Sequence, residues 1–194
     1  DAFARLQQGE VDILAGNWIA SREIELQMDF SIPILDDGVS IFSLAGAPVE
    51  NLAGLNGKSV GVVAGSAGET ALPGIAQAAG VAVSTMRYPD FASAVEGLRQ
   101  GAVGAIVIER RPALDVHFRE AGYFVTDERY TARPVVFIIP QGDSSFRDLL
   151  NLTLGALQTN GVYAELYGLW FDDAVYQLSL PPGQPAVPLL IPTN

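Results

Sequence analysis

The chain has 194 residues, with 22 Asp plus Glu against 11 Lys plus Arg, one histidine and no cysteine. A net charge of −11, with Lys58 the sole lysine, excludes a nucleic-acid binder, which must neutralise phosphates with Lys and Arg, and equally a polybasic membrane-surface site. Without cysteine there are no disulfides, thiolate nucleophiles or Cys-based metal sites. The hydrophobic share of 49% is enough to bury the core of one large domain or of two small lobes. No run approaches the ~18 apolar residues of a membrane span, and the sequence opens at Asp1 in an amphipathic pattern rather than a leader-type segment.

Taken in chain order, Ala2 to Gln8 reads as the end of a helix stopped by Gly9, and Val11 to Ala15 as a short strand bounded by glycines. Ser21 is placed to cap a helix from Arg22 to Gln27. Pro33 and Asp36-Asp37-Gly38 mark a turn before a strand from Val39 to Leu44. From Lys58 the pattern becomes regular. Strands at Ser59–Val63, Val81–Tyr88 and Val103–Ile108 alternate with helices ending at Ala79, Arg99 and Glu120, and Tyr123–Thr126 adds a short strand. Such alternation predicts βαβ units on a parallel sheet. Val135 to Ile139 is the most hydrophobic strand. Asp143 or Ser144 caps a long helix to Gln158, Asn160-Gly161 breaks it, and Val162 to Trp170 starts another. Five prolines between Pro181 and Pro192 mark an extended tail.

Four stretches carry a resemblance. Leu6-Gln-Gln-Gly-Glu-Val-Asp12 with Asp29-Phe-Ser-Ile-Pro33 is the first. Leu55-Asn-Gly-Lys-Ser-Val-Gly-Val-Val-Ala-Gly-Ser66 is the second, Ala94-Val-Glu-Gly-Leu-Arg-Gln-Gly101 through Glu109 the third, and Asn160-Gly-Val-Tyr-Ala-Glu-Leu-Tyr-Gly-Leu-Trp-Phe171 the fourth. Together, and in this order, they resemble the family 3 extracellular solute-binding proteins, the polar amino-acid receptors of ABC importers. The resemblance implies an α/β, two-lobed periplasmic-binding-protein-like (type II) fold, with parallel-sheet lobes joined by two hinge strands. Lobe 1 would hold residues 1–45 and 134–175, lobe 2 residues 46–133, and a Pro-rich tail residues 176–194. Family members begin with a strand, a helix and a strand before the Gly-x-Val-Asp unit. Only a helix end precedes Gly9 here, so the first lobe is expected to lack its initial β-α-β and to be completed by a homodimer partner or an exchanged strand. The implied role is hinge closure around a small polar, amino-acid-like ligand outside the cytoplasm and its delivery to ABC importer membrane subunits, with no catalysis and no cofactor. The alternatives are a ligand-sensing domain of a larger receptor and a divergent member that no longer binds amino acids.

The candidate ligand residues follow the same division between chemistry and resemblance. Ser66, Ala67 and Gly68 lie between a strand and a helix N-terminus, where backbone N–H groups and the helix dipole favour an anion; in the resembled family this loop receives a ligand carboxylate. The bland alternative is a glycine-rich turn. Glu109 ends a strand where open α/β sheets bind ligands, at the position where the family has an Asp for the ligand ammonium, while Arg110 and Arg111 offer it an ordinary surface ion pair. The family's Thr-x-x-Arg clamp aligns with Ser21 and Ile24, which removes the bidentate carboxylate fork; Arg22 is the substitute candidate or else a solvated arginine. Asn17, Trp18 and Ile19 are expected in a loop lining the cleft, with Trp18 either a stacking surface or a packing plug. Trp170 and the lone His117 read as structural. Asp36-Asp37 and Asp172-Asp173 read as solvated pairs. No metal-ligating cluster and no paired-carboxylate motif stands out.

Overall fold

A computed structural model describes residues 1–171; the expected tail and Asp172-Asp173 lie outside the described residues. In chain order, α1 (Ala2–Gln7) is followed by β1 (Leu14–Ile19), α2 (Arg22–Glu25), β2 (Met28–Phe30) and β3 (Leu35–Asp36). The middle of the chain holds β4 (Val39–Leu44), a 3-10 turn (Leu52–Leu55), β5 (Ser59–Val63), α3 (Ala67–Ala79), β6 (Ser84–Tyr88), α4 (Phe91–Arg99), β7 (Ala105–Glu109), α5 (Arg110–Arg119) and β8 (Tyr123–Val125). Then come β9 (Pro134–Pro140), α6 (Ser144–Thr159) and α7 (Val162–Phe171). The chain divides into two compact units, one made of residues 1–36 with the segment from Arg133 onward and the other of Asp37–Ala132.

The first unit is organised around β9. Four of its seven residues, Val135, Val136, Ile138 and Ile139, are buried, which is what a strand covered on both faces requires. β1 lies on one side, and β2 and β3 share the other. Every one of these pairs is antiparallel. The parallel sheet expected for this lobe is therefore corrected, and the reason is the path of the chain. It leaves the unit along Leu35–Asp36 and returns along Pro134–Val135 in the opposite direction, with Asp36 paired to Pro134, so β9 runs against each of its neighbours. Leu6, Met28 and Ile138 form the core, with Phe3, Leu14, Trp18, Ile24 and Phe30 packed around them. Full burial of each such aliphatic side chain stabilises by about 1.5–3 kcal/mol. Asn151 on α6 accepts the Ile32 N–H at 2.8 Å, and Ser31 Oγ accepts the Phe137 N–H at 3.0 Å, tying the Asp-Phe-Ser-Ile-Pro stretch to both helix and sheet.

The second unit has the sheet order β6-β5-β7-β4-β8. β6, β5 and β7 are parallel, as the alternation of strands and helices predicts. β4 and β8 are antiparallel additions. Val39, Ile41, Leu55, Val60, Val62, Leu72, Ala105 and Val107 form its buried core. Because β4 pairs with β7 and β8, Val39–Leu44 belongs here, so the expected lobe boundary after residue 45 moves to Asp36/Asp37.

Two further expectations change, and one unassigned stretch gains an element. The strand placed at Val11 to Ala15 lies instead at Leu14–Ile19, because Trp18 and Ile19 pair with Val136 and Val135. Met28–Phe30, to which the sequence pattern assigns no element above, is a strand paired with β9. Asp37 is not solvated: it is 2% exposed and its Oδ1 accepts the Arg111 N–H at 2.8 Å.

Candidate functional site

The second unit brings four of the expected ligand residues together at the C-terminal ends of its parallel strands. β5 and β7 are adjacent, with Val60 opposite Ala105 and Gly61 opposite Ile106. The Ala64-Gly65 turn, with Gly65 in the left-handed region at φ +74°, leads from β5 into α3, and β7 ends at Glu109. Ser66 caps α3 with an extended backbone, and its Oγ accepts the Glu69 N–H at 3.1 Å. Gly68 is buried in the first turn of α3. A Cβ there would stand 2.1 Å from the Val107 carbonyl oxygen and 2.6 Å from its carbon, so only glycine lets the helix approach β7 this closely.

That approach sets the central contact of the site. Glu109 Oε1 accepts the Ala67 N–H at 2.9 Å. A carboxylate at a helix N-terminus gains from the hydrogen bond and from the helix dipole. Glu69, in the same first turn, accepts the Gly65 N–H at 2.8 Å and forms an ion pair with Arg87 on β6. The Arg87 guanidinium holds the Glu69 carboxyl below its usual range, with the Gly65 N–H adding to the effect. Around the helix start, the Gly65 N–H is engaged by Glu69, the Ser66 N–H by the Val63 carbonyl at 3.1 Å, the Ala67 N–H by Glu109 and the Glu69 N–H by Ser66. Sequence reading did not single out Glu69 or Arg87. The Ser66-x-x-Glu69 spacing of a capping box was the available signal for the former. Nothing in the sequence marks Arg87, because its role comes from the β5–β6 pairing that brings Val62 opposite it.

Arg110 and Arg111 do not pair with Glu109. Arg110 is buried, donates to the Thr126 carbonyl oxygen and pairs with exposed Asp127; Arg111 pairs with Asp37. The surface ion pair offered as the bland reading of Glu109 is therefore corrected. His117 places Nδ1 3.0 Å from the Tyr123 carbonyl oxygen and its ring edge-on to Phe118.

The first unit presents its candidates separately. Asn17, Trp18 and Ile19 lie within β1, not in a loop after it. Trp18 meets Phe3 edge-to-face at 5.0 Å and packs against the Leu6–Met28–Ile138 core, so its ring serves packing. Asn17 is exposed. Ser21 caps α2 through the Ile24 N–H, and Ile24 turns into the core. Arg22 is exposed in the first turn of that short helix. An open pocket of about 380 Å³ lies in this unit, lined by Glu25, Asp29, Phe30, Ile32, Arg147 and Asn151 among others. Its polar walls bind one another: Asp29 accepts the Gly142 N–H and faces Arg147 at 3.6 Å. Among the described residues there is no group of three or more His, Cys, Asp or Glu able to hold a metal ion, and no helix long and apolar enough to cross a membrane.

Two α/β units make up the described chain, the second with a carboxylate fixed at the C-terminal edge of a largely parallel sheet, where open α/β sheets receive ligands. The profile of the bacterial extracellular solute-binding proteins, family 3, matches residues 1–173, and the chain belongs to that family. It is 24% identical over 168 residues to the ABC transporter glutamine-binding protein GlnH of Bacillus subtilis, covering 87% of this chain and 60% of GlnH. It is 28% identical over 172 residues to the L-cystine-binding protein TcyJ of Escherichia coli, covering 87% of this chain and 63% of TcyJ. The chain thus spans about three fifths of the length of the curated relatives it matches. A substrate-binding domain from Streptococcus pneumoniae shares its fold with a TM-score of 0.80 at 18% identity, over 88% of this chain and 77% of that one. These solved relatives are two-lobed type II binding domains, the fold class that the four sequence motifs imply.

Proposed function

We propose that this chain captures a small, polar, amino-acid-like solute in the periplasm or at the cell exterior and passes it unchanged to the membrane subunits of an ABC importer. The observation that supports this most is the fixed Glu109 carboxylate beside the Ser66–Gly68 loop, at the strand ends where α/β sheets receive ligands. A carboxylate there suits a ligand ammonium. Family membership and the names of the relatives, glutamine-binding and L-cystine-binding proteins, point the same way. Asn17, Ile19 and Arg22 are the first unit's contributions under this reading. A second copy or an exchanged strand along β1, an end strand of its sheet with Ala15, Gly16 and Asn17 exposed, belongs to the same reading. Light scattering at the mass of a single 20.6 kDa chain would dismiss that part.

The test is a thermal-unfolding screen of the whole chain against the common amino acids and their amines. A ligand bound only by the native state at one hundred times its Kd stabilises by about 2.7 kcal/mol. A Tm that stays constant across the panel overturns the proposal.

A further inference from the structure

We infer that the first unit holds a ligand site of its own, the pocket between β2 and α6, and that it takes a small zwitterion, an α-amino acid with an apolar side chain. This site stands apart from the first unit's other candidate residues. β9 lies between β2 and β1, the strand that carries Asn17 and Ile19, so the pocket is at the opposite edge of the sheet, and Arg22 does not line it.

The walls are fixed by the protein itself. Asn151 Oδ1 accepts the Ile32 N–H at 2.8 Å, Asp29 Oδ2 accepts the Gly142 N–H at 3.1 Å, and Ser31 Oγ accepts the Phe137 N–H at 3.0 Å. These bonds hold β2, the turn after β9 and α6 around a volume of about 380 Å³, at the small end of the range for ligand pockets. Walls ordered in advance reduce what binding must order.

The hydrogen-bonding capacity left over is sorted by charge. Arg147 and Asn151 stand one turn apart on α6 and line the same pocket. The Arg147 guanidinium faces the carboxylates of Asp29 and Asp148, each at 3.6 Å, which is beyond hydrogen-bond length, so neither takes up its directed donors. With Oδ1 engaged, Asn151 offers the two donors of its amide nitrogen. Donors paired in this way on one helix face suit a carboxylate. The other wall carries Glu25 and Asp29. Asp29 uses Oδ2 for both Gly142 and Arg147, and a carboxylate has roughly four acceptor positions. The strand edge adds to these groups. Because the Ser31 N–H donates to the Phe137 carbonyl, the alternation of an antiparallel pair turns the Phe30 N–H and C=O away from β9, to the edge where the Ile32 N–H meets Asn151. Phe30, Ile32 and Pro33 also line the pocket and match an apolar body. A lone ammonium would meet Glu25 and Asp29 but face Arg147, and a lone carboxylate would meet Arg147 beside two negative neighbours. A molecule with both charges gives each wall its opposite.

The experiment is an NMR titration of the full chain with three probes of one skeleton: L-leucine, 3-methylbutylamine, which lacks the carboxylate, and 4-methylpentanoate, which lacks the ammonium. The Phe30 amide and the Asn151 side-chain amide are the reporters. Expected is a saturable shift of both with L-leucine, at an affinity about fivefold or more above either single-charge probe, and a loss of about fivefold or more in Arg147→Gln and in Glu25→Gln, the lower range for charged hydrogen bonds because the pocket is open to water. Neither substitution removes a bond that ties the walls together. An amine or acid that binds as tightly as L-leucine overturns the inference, as does unchanged affinity in either variant or the lack of a saturable shift at the two reporters. The Ala67 amide in the same spectra separates this outcome from the solute-binding reading. A shift at Ala67 with none at Phe30 and Asn151 overturns the pocket and leaves that reading standing, whereas shifts at Phe30 and Asn151 alone support the pocket without it.

Discussion

Replacing Gly68 by alanine tests whether the close approach of α3 to β7 is what builds the Ala67–Glu109 contact. The added Cβ would stand 2.1 Å from the Val107 carbonyl oxygen and 3.0 Å from the Ile108 Cα, against an ordinary contact of about 3.5 Å. These neighbours are backbone atoms of a strand paired on both sides, so no rotamer change relieves the clash and the start of α3 must lift by roughly 1 Å. Overpacking of this kind costs about 1–3 kcal/mol, offset by up to about 1 kcal/mol of improved helix propensity. Loosening of the adjacent charged hydrogen bond costs about 1.5 kcal/mol more. The net expectation is a loss of about 2 kcal/mol, which lowers a urea midpoint by about 1 M for a typical denaturant slope. Gly74 lies in the same helix with nothing within 4 Å of its would-be Cβ, so Gly74→Ala keeps the propensity gain without the clash and should stabilise by about 0.5–1 kcal/mol. Opposite signs for the two variants in urea titrations followed by circular dichroism support the geometry. A Gly68→Ala protein as stable as the parent refutes it.

Trp18→Ala removes a ring packed on Phe3 and the first unit's core and should cost about 2–3 kcal/mol, with Trp18→Phe recovering most of it; equal stability of parent and Trp18→Ala in the same titration would mean the ring is not packed. Asn151→Leu leaves the Ile32 N–H without its acceptor and should cost about 1–3 kcal/mol, with faster hydrogen exchange at Ile32 as the direct readout. Acid should weaken the second unit. Arg87 and the Gly65 N–H hold Glu69 below its ordinary value, and the Ser93 N–H does the same for Asp90. A carboxyl depressed by folding stabilises above its unfolded pKa, and that contribution is lost as pH falls through the folded one. The urea midpoint should therefore fall from about pH 4.5 downward, and more gently in a Glu69→Gln, Asp90→Asn double variant; an unchanged acid slope in that variant contradicts the assignment.

The second unit was legible in the sequence because its signals are local. Its buried strands are short apolar runs, α3 and α4 begin at side-chain caps, and parallel pairing follows from their alternation, as with Asp90 capping α4 through the Ser93 N–H at 2.7 Å. The first unit was less legible because its sheet is assembled from distant segments. Met28–Phe30 alternates apolar and polar residues, yet it is only three residues long and becomes a strand when β9, more than a hundred residues later, pairs with it. Trp18 looked like a ligand-facing loop residue for the same reason: the pairing of Trp18 with Val136 is what turns that stretch into a strand. Asp37 resembled any acidic turn residue, and the Arg111 N–H that it accepts comes from α5, more than seventy residues later.

The site shows the same limit in sharper form. Loop and strand-end positions, read through the family resemblance, put Ser66, Ala67, Gly68 and Glu109 in one candidate site, and β5–β7 pairing with the buried Gly68 brings them together. They were not enough to say which group faces which. A strand-to-helix loop has the same sequence whether its amides await an anion or already hold one, and the difference here is a single side chain reaching across from β7. An aspartate at position 109 would be one methylene shorter and, from the same backbone, would leave the Ala67 N–H out of its reach or strain to meet it. With Ala67 offering no hydroxyl of its own, its N–H is the one donor that residue can present, and Glu109 takes it. The charge that sits at this edge of the sheet is therefore negative, where the helix dipole alone would make it positive.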